Sequence, residues 1–363
     1  MAKSSYVPSG ARIKVIGTGG AGCNAISRMV REHLRGVEFI AMNTDAQALE
    51  ITEAMQRFQL GEKSTRGLGA GGDHLIGRKA AEESRDSIAE LVAGADMIFV
   101  TAGMGGGTGT GSAPIIAEMA KKSGALTIAV VTKPFSFEGT HRNKTAEEGI
   151  KALMQNVDTL IIIPNDRLLD LCDQRTSVDG AFRLADEVLH HGVQAIAEVI
   201  TVPGLINLDF ADIRTIMKDA GPAWMSIGRG TGQNRAIDAA RDALASPLLD
   251  VSVHGAKGAL FNISGADLTL FEVNNAAEII KQAVDPQANV IFGVNLDPNM
   301  GKDVRLTLIA TGFQTKDQLS GESGEKELTK LLKGIADDEL DTPSFSRQRD
   351  AYQSARTSPG RRN

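Results

Sequence analysis

The sequence predicts an α/β fold: a parallel sheet covered by helices on both faces, a long central helix, a second α+β domain and a polar tail. Three observations predict it. Through residues 11–164, apolar runs of strand length alternate with stretches of helical period, the pattern of parallel sheets buried on both faces. Val178, Phe182, Ala185, Leu189, Val193, Ile196 and Ile200 then recur at three- and four-residue spacing, which makes a helix about 34 Å long at 1.5 Å per residue. Glycine-rich turns follow the strand patterns, densest where six of the nine residues from Gly103 to Gly111 are glycine.

The chain has 363 residues, enough for one large or two ordinary domains. Hydrophobic content of 42% and charged content of 23% fit a globular class. No apolar run approaches the ~20 residues of a transmembrane helix. Met1–Tyr6 has no apolar core, so no secretory leader is expected. Cys23 and Cys172 are the two cysteines; they make no disulfide framework and suit a reducing cytosol. A net charge of −6 argues against nucleic-acid binding, and 4% aromatic residues make no stacking platform for single strands.

In order, residues 1–10 are polar and predicted disordered. Residues 11–16 form the first strand, running into Gly17-Thr18-Gly19-Gly20-Ala21-Gly22 and a helix from about Asn24 to Leu34. Residues 37–42 form the second strand, with Asn43-Thr44-Asp45 at its end. This G-x-G-x-x-G followed by an acid is also what a Rossmann-type dinucleotide site would show, so an NAD-dependent oxidoreductase is the rival reading. A second glycine loop, Gly67-Leu68-Gly69-Ala70-Gly71-Gly72, leads into one helix over 73–93. The strand at 96–101 leads into the third, Gly105 to Gly111. A helix is expected to open there at Ser112, with Pro114 in its first turn. Further strands are expected at 125–131 and 157–163, with a helix holding Arg142 between them. All three glycine loops read as successive βα turns. Ligands of such sheets sit beyond the strand C-termini, where these loops converge.

Backbone N–H groups in a glycine turn, together with a helix N-terminus, bind phosphate. The Gly105–Gly111 loop holds no lysine, so it is not a G-x-x-x-x-G-K-[ST] phosphate loop. Three loops of backbone donors suit a triphosphate better than one pyrophosphate. Gly105–Gly111 reads GGGTGTG, the tubulin signature, and over roughly residues 11–316 the chain resembles the FtsZ family of tubulin-like division GTPases.

That resemblance implies a Rossmann-like GTP-binding domain at 11–177, a central helix and catalytic loop at 178–220, an α+β domain with a mixed sheet at 221–316, and a disordered linker and tail at 317–363. It assigns GTP contacts to Gly19, Gly20, Ala21, Gly22, Ala70, Gly71, Gly72, Gly105, Gly106, Gly107, Thr108, Gly109 and Thr132. Glu138 and Arg142 would hold ribose and phosphate. Phe182 would stack on guanine and Asp186 accept from it, with Asn24 and Asn165 completing base recognition. Read alone, Phe182 is a core residue and Asp186 a surface acid.

The stretch 202–214 also has two readings. By itself Asp209 is a helix cap and Asp212 a first-turn acid. By resemblance Asn207, Asp209 and Asp212 are the catalytic set that reaches the nucleotide of the next subunit. The implied activity is hydrolysis of GTP to GDP and phosphate in a head-to-tail homopolymer, with magnesium held mainly through the phosphates and no dedicated protein metal site. A nucleotide-binding polymer without turnover stays open beside it. The implied place is the cytoplasm, at the division site beneath the inner membrane.

Pro222 and Ser226 stand where the family carries an aromatic residue and a glycine. Trp224 is read as packing. In the second domain a helix at 233–245, strands at 259–264, 289–294 and 304–311, and a Thr269–Glu272 capping box opening helix 270–284 are expected. Asp341-Thr342-Pro343-Ser344-Phe345-Ser346-Arg347 resembles the family's docking peptide for membrane-tethering and regulatory division proteins, with Asp341, Pro343, Phe345 and Arg347 as its contacts. A short linker precedes it and a basic extension follows.

Overall fold

Strands buried on both faces need near-continuous apolar sequence. Val15, Ile16, Ile40, the run Met97–Val100 and the run Ile128–Val131 have no access to solvent. The computed structural model describes residues 10–170, 172, 175–201, 209–248, 253 and 255–313. Six strands, β1 (Ile13–Thr18), β2 (Val37–Asn43), β3 (Gln56–Gln59), β4 (Met97–Gly103), β5 (Leu126–Lys133) and β6 (Thr159–Pro164), lie parallel in the order β3-β2-β1-β4-β5-β6. Ile13 stands opposite both Val37 and Met97, which fixes the register of the three central strands.

Four more strands complete one ten-stranded sheet: β7 (Gly221–Gly230), β8 (Gly258–Gly265), β9 (Asn289–Leu296) and β10 (Val304–Thr311). β7 lies parallel to β6 over Gly221–Ala223, then antiparallel to β10 from Trp224 to Gly230. β10 is antiparallel to β8, and β8 is parallel to β9. This half of the sheet is mixed.

The helices are α1 (Gly19–Arg31), α2 (Ala46–Glu50), α3 (Glu62–Thr65), α4 (His74–Glu83), α5 (Arg85–Val92), α6 (Thr108–Lys122), α7 (Thr140–Met154), α8 (Asn165–Leu169), α9 (Val178–Thr201), α10 (Phe210–Met217), α11 (Arg235–Leu244) and α12 (Leu270–Ala283). α9 is the expected long helix, 24 residues in all. Its Val188, Leu189, Val193 and Ile196 share one core with Ile128, Val130 and Ile161 of the parallel half and Leu260, Ile291 and Ile309 of the mixed half. Near its C-terminus Glu198 accepts from Gln194, Asn262 and Asn295 at 2.6, 3.2 and 3.1 Å.

Several boundaries differ from the sequence expectation. Residues 73–93 are two helices, broken at Ser84, whose hydroxyl accepts the Gly61 N–H at 2.9 Å. Hydrophobic period cannot show that break. β3, α2 and α3 were not expected: β3 is a half-exposed edge strand with the polar sequence Gln-Arg-Phe-Gln, without the apolar run of a buried one. The loop 67–72 therefore follows α3 rather than a strand. α1 opens at Gly19 and α6 at Thr108, each inside its glycine loop. Pro114 is accordingly the seventh residue of its helix, not a first-turn residue.

In the mixed half, the Thr269–Glu272 capping box is present. Trp224 is buried and meets Phe313 edge-on at 4.3 Å. Pro222 lies where β7 pairs with β6 alone, an edge position at which strands tolerate proline. Ser226 stands opposite Leu308, and its buried hydroxyl has no protein partner among the described residues.

Candidate functional site

A cavity of about 230 Å³ opens beyond the C-terminal ends of β1, β4, β5 and β6. Helix N-termini frame it. α1 presents Gly20 and Ala21, and α6 presents Thr108 and Gly109 behind Gly106 and Gly107. Neither helix has an acid in its first turn, so the partial positive charge of each terminus faces the cavity uncancelled.

The glycines do two different jobs. Gly20 has open space where a Cβ would stand. Gly19, at φ +73°, and Gly22 do not line the cavity; a Cβ on Gly19 would come within 2.8 Å of the Gly109 nitrogen, and one on Gly22 within 2.5 Å of the Thr101 carbonyl. They let the first loop, the signature helix and β4 approach one another.

Thr132, Glu138, Arg142, Asn165, Phe182 and Asp186 complete the lining of the same cavity. Glu138 is fixed twice, accepting the Phe135 N–H at 2.9 Å and pairing with Arg142 at 2.6 Å. Phe182 is 40% exposed. Phe135 meets its ring edge-on at 5.4 Å and stacks on Phe137 at 4.9 Å. One face of Phe182 is thus held while the ring stays open to the cavity.

Burial pushes the Asp186 carboxyl up to about 7, against the opposing pull of Arg28. Asn165 Oδ1 is buried with no hydrogen-bond partner among the described residues. A desolvated carboxylate and an orphaned amide oxygen beside an open ring suit a planar base with N–H donors, which is what guanine offers.

Gly71, Gly72 and Gly105 line an adjacent hollow of about 730 Å³, which shares Gly106 and Arg142 with the cavity and adds His74, His141 and Lys144. Ala70 is buried behind both, with Gly107 packed against it. Asn24 is exposed on α1 and lies outside both linings.

Asp209 and Asp212 are exposed and line neither space. Asp209 caps α10, accepting the Asp212 N–H at 2.9 Å. Asn207 and the docking residues Asp341, Pro343, Phe345 and Arg347 lie outside the described residues.

Sequence reasoning missed Gly103, Met104, Pro134 and Ala185, which also line the cavity, and Phe135 behind Phe182. An aromatic residue in the loop after β5 was the one available signal. Asp45, the acid of the dinucleotide reading, does not line the cavity; its carboxylate caps α2 through the Gln47 and Ala48 N–H groups.

Known proteins agree with this geometry. The Tubulin/FtsZ family GTPase domain matches residues 12–173, and the FtsZ family C-terminal domain matches residues 221–314. An empty FtsZ dimer from M. jannaschii is 47% identical, with a TM-score of 0.81, over 83% of this chain and 88% of that one. A tryptophan-to-tyrosine mutant of FtsZ from M. jannaschii is 46% identical, with a TM-score of 0.82, over 84% and 92%. CetZ1 from Haloferax volcanii, a GDP-bound monomer, shares 22% identity and a TM-score of 0.73 over 90% and 100%, a likeness of fold alone. The sheet order of the first six strands would fit a dinucleotide enzyme as well, but the domain matches and the role of Asp45 set that reading aside: the chain belongs to the FtsZ family of tubulin-like GTPases.

Proposed function

We propose that this chain binds GTP in the cavity and hydrolyses it to GDP and phosphate where a second copy, docked head to tail, brings Asn207, Asp209 and Asp212 to the terminal phosphate. Repeated, that heterologous contact builds a filament. The filament acts in cell division, in the cytoplasm beneath the inner membrane. The tail, through Asp341, Pro343, Phe345 and Arg347, docks membrane-tethering and regulatory partners.

One observation carries the split site. Glu138, Arg142, Asn165, Phe182 and Asp186, proposed to hold ribose, phosphate and base, line one cavity with Gly106–Gly109, while Asp209 and Asp212 stand outside it. Their helix ends at Met217, whose carbonyl accepts the Thr159 hydroxyl at 2.5 Å. Thr159 opens β6 and Asn165 follows its far end. A strand of that length, at ~3.3 Å per residue, separates the N-terminal and C-terminal ends of the parallel strands by about 20 Å. The related FtsZ of M. jannaschii is described as a dimer, which supports self-association.

The chemistry is consistent with that division of labour. Phosphoryl transfer needs positioning and charge stabilisation more than covalent help. Backbone donors of the glycine loops, the α1 and α6 termini and Arg142 meet the phosphates. A magnesium ion, held mainly through the phosphates, would supply further positive charge. Carboxylates fixed at the terminal phosphate, unlike Glu138 and Asp186 at the sugar and base, would repel it; delivered by a neighbour, they orient and polarise the attacking water only after assembly.

The test is phosphate release per chain from GTP with magnesium, across protein concentrations. A threshold concentration followed by a constant rate per added chain is expected. A rate per chain independent of concentration would mean a complete site within one chain and would overturn the assignment of Asn207, Asp209 and Asp212.

A further inference from the structure

Thr44 follows the last residue of β2, has no solvent access, and takes no part in the cavity lining. It is nevertheless the point where the phosphate loops are tied together. Its carbonyl accepts the Gly69 N–H at 3.2 Å and the Thr65 hydroxyl at 3.3 Å. The nearby Ala46 N–H holds the Gly67 carbonyl at 3.0 Å. The loop 67–72 is therefore pinned to the end of β2. The Thr44 hydroxyl meets the Thr108 hydroxyl at 2.5 Å. Thr108 is the residue of α6 that brings a side-chain hydroxyl to the cavity lining, and its carbonyl accepts the Ser112 hydroxyl at 2.7 Å. Ser112 in turn meets Thr18, at the end of β1, at 2.6 Å.

We propose that Thr44 is a positioning residue: it sets the direction of the Thr108 hydroxyl proton and thereby the preference for a nucleoside triphosphate over the diphosphate. The proposal rests on the GTP reading of the cavity. A hydroxyl has one proton and two lone pairs. Two hydroxyls in contact share one proton along the line between them and direct the other elsewhere. When Thr44 donates, Thr108 keeps its own proton for an anionic oxygen in the cavity, a charge-assisted bond. Without an anion there, Thr108 can donate to Thr44 instead.

The terminal phosphate therefore selects one of two directions for the bond. On the GTP reading its place is beside the hollow that Gly71 and Gly72 line, and that loop hangs from the Thr44 carbonyl. One residue thus orients the donor on α6 and holds the loop on the other side of the phosphate.

The experiment is equilibrium binding of GTP and of GDP, with magnesium, to the full chain and to Thr44→Val, Thr44→Ser, Thr108→Val and the double variant Thr44→Val/Thr108→Val. Thr44→Val keeps the shape and removes the hydroxyl. It leaves Thr108 its own proton but removes the donor that orients it, so it should lower the ratio of GTP to GDP affinity by less than one charge-assisted hydrogen bond is worth, about three- to fivefold. Thr44→Ser should restore the ratio to within about twofold of the unaltered chain, since the hydroxyl returns.

Thr108→Val removes the donor itself and should lower the ratio about tenfold, the scale of one charge-assisted hydrogen bond, and the double variant should lose no more than Thr108→Val alone, because coupled residues are not additive. Equal losses for both nucleotides, an additive double variant, or a Thr44→Ser that behaves like Thr44→Val would overturn the proposal. If Thr44→Val does not fold, Thr108→Val decides: an unchanged ratio there overturns it. An unaltered chain that binds neither nucleotide would overturn the GTP reading itself, a separate and recognisable result.

Discussion

The Asp209 carboxylate accepts the Asp212 backbone N–H at 2.9 Å, so the two acids proposed to act on a neighbour's nucleotide also begin a helix. Capping and catalysis can be separated by substitution. Asp209→Ala should lower stability by about 1 kcal/mol, and Asp209→Asn should keep the cap. Both should lose assembly-dependent hydrolysis. Asp212→Ala should bind GTP as before and change stability by less than about 0.5 kcal/mol, while hydrolysis falls by roughly a hundredfold or more. Thermal melts beside single-chain GTP binding and phosphate release decide this; retained hydrolysis in Asp212→Ala would remove it from the site.

Asp186 predicts a pH dependence. Burial raises its carboxyl from an ordinary 3.8 to about 7. In the free protein the folded state therefore holds its proton where the unfolded state has released it. The contribution to stability is fully present below about 3.8 and is lost as pH rises through about 7. Accepting from guanine requires the ionised form, so binding runs the other way. GTP affinity should be about tenfold weaker at pH 6 than on a plateau above pH 8, since about a tenth of the carboxyl is ionised one unit below its pKa. Asp186→Asn should flatten both slopes; a tenfold slope surviving in that variant would place the titrating group elsewhere.

The open ring of Phe182 should be worth about 1–3 kcal/mol to base binding, or roughly 5- to 100-fold in Kd. Phe182→Ala should lose that affinity with little change in melting temperature, since the ring is partly exposed. Phe135 has no solvent access, so Phe135→Ala should cost about 3–5 kcal/mol of stability. Phe135→Leu should retain most of the packing but loosen the Phe182 ring, and guanosine titration should detect a smaller loss.

Two glycines should respond in opposite ways. A Cβ on Gly77 would overlap the Gly107 carbonyl, a backbone atom that cannot step aside. Gly77→Ala should force α4 off the signature loop and lower stability by about 1–3 kcal/mol. A Cβ on Gly20 meets nothing within 4 Å. Gly20→Ala should melt normally but bind GTP more weakly, because its methyl group enters the cavity. Melting and binding measured on the same two variants separate packing from phosphate approach.

The legible parts of this chain were those that repeat or concentrate one kind of residue. Buried strands announced themselves as apolar runs, α9 by its period, α12 by Thr269 and Glu272, and the loops around the cavity by glycine. What was hidden depends on contacts between distant residues. The Ser84 break follows from one hydrogen bond to Gly61. β3 is legible only beside β2, because an edge strand carries no buried face of its own. The start of α6 inside the glycine signature runs against glycine's low helix propensity and is fixed by packing against α4. Asn165 as an orphaned acceptor and Phe135 as the support of Phe182 are relations across the fold. The family resemblance supplied Phe182 and Asp186, which residue type alone would have left in the core and on the surface.

β7 belongs to both halves of the sheet, through three residues on one side and seven on the other. No single backbone cut divides the molecule into two finished pieces. A fragment ending before Gly221 would leave β6 with a bare edge, and one beginning there would carry Gly221–Ala223 unpaired. Bare strand edges recruit other chains. Either half made alone is therefore expected to seek the missing strand in another copy, a tendency that the joined chain suppresses.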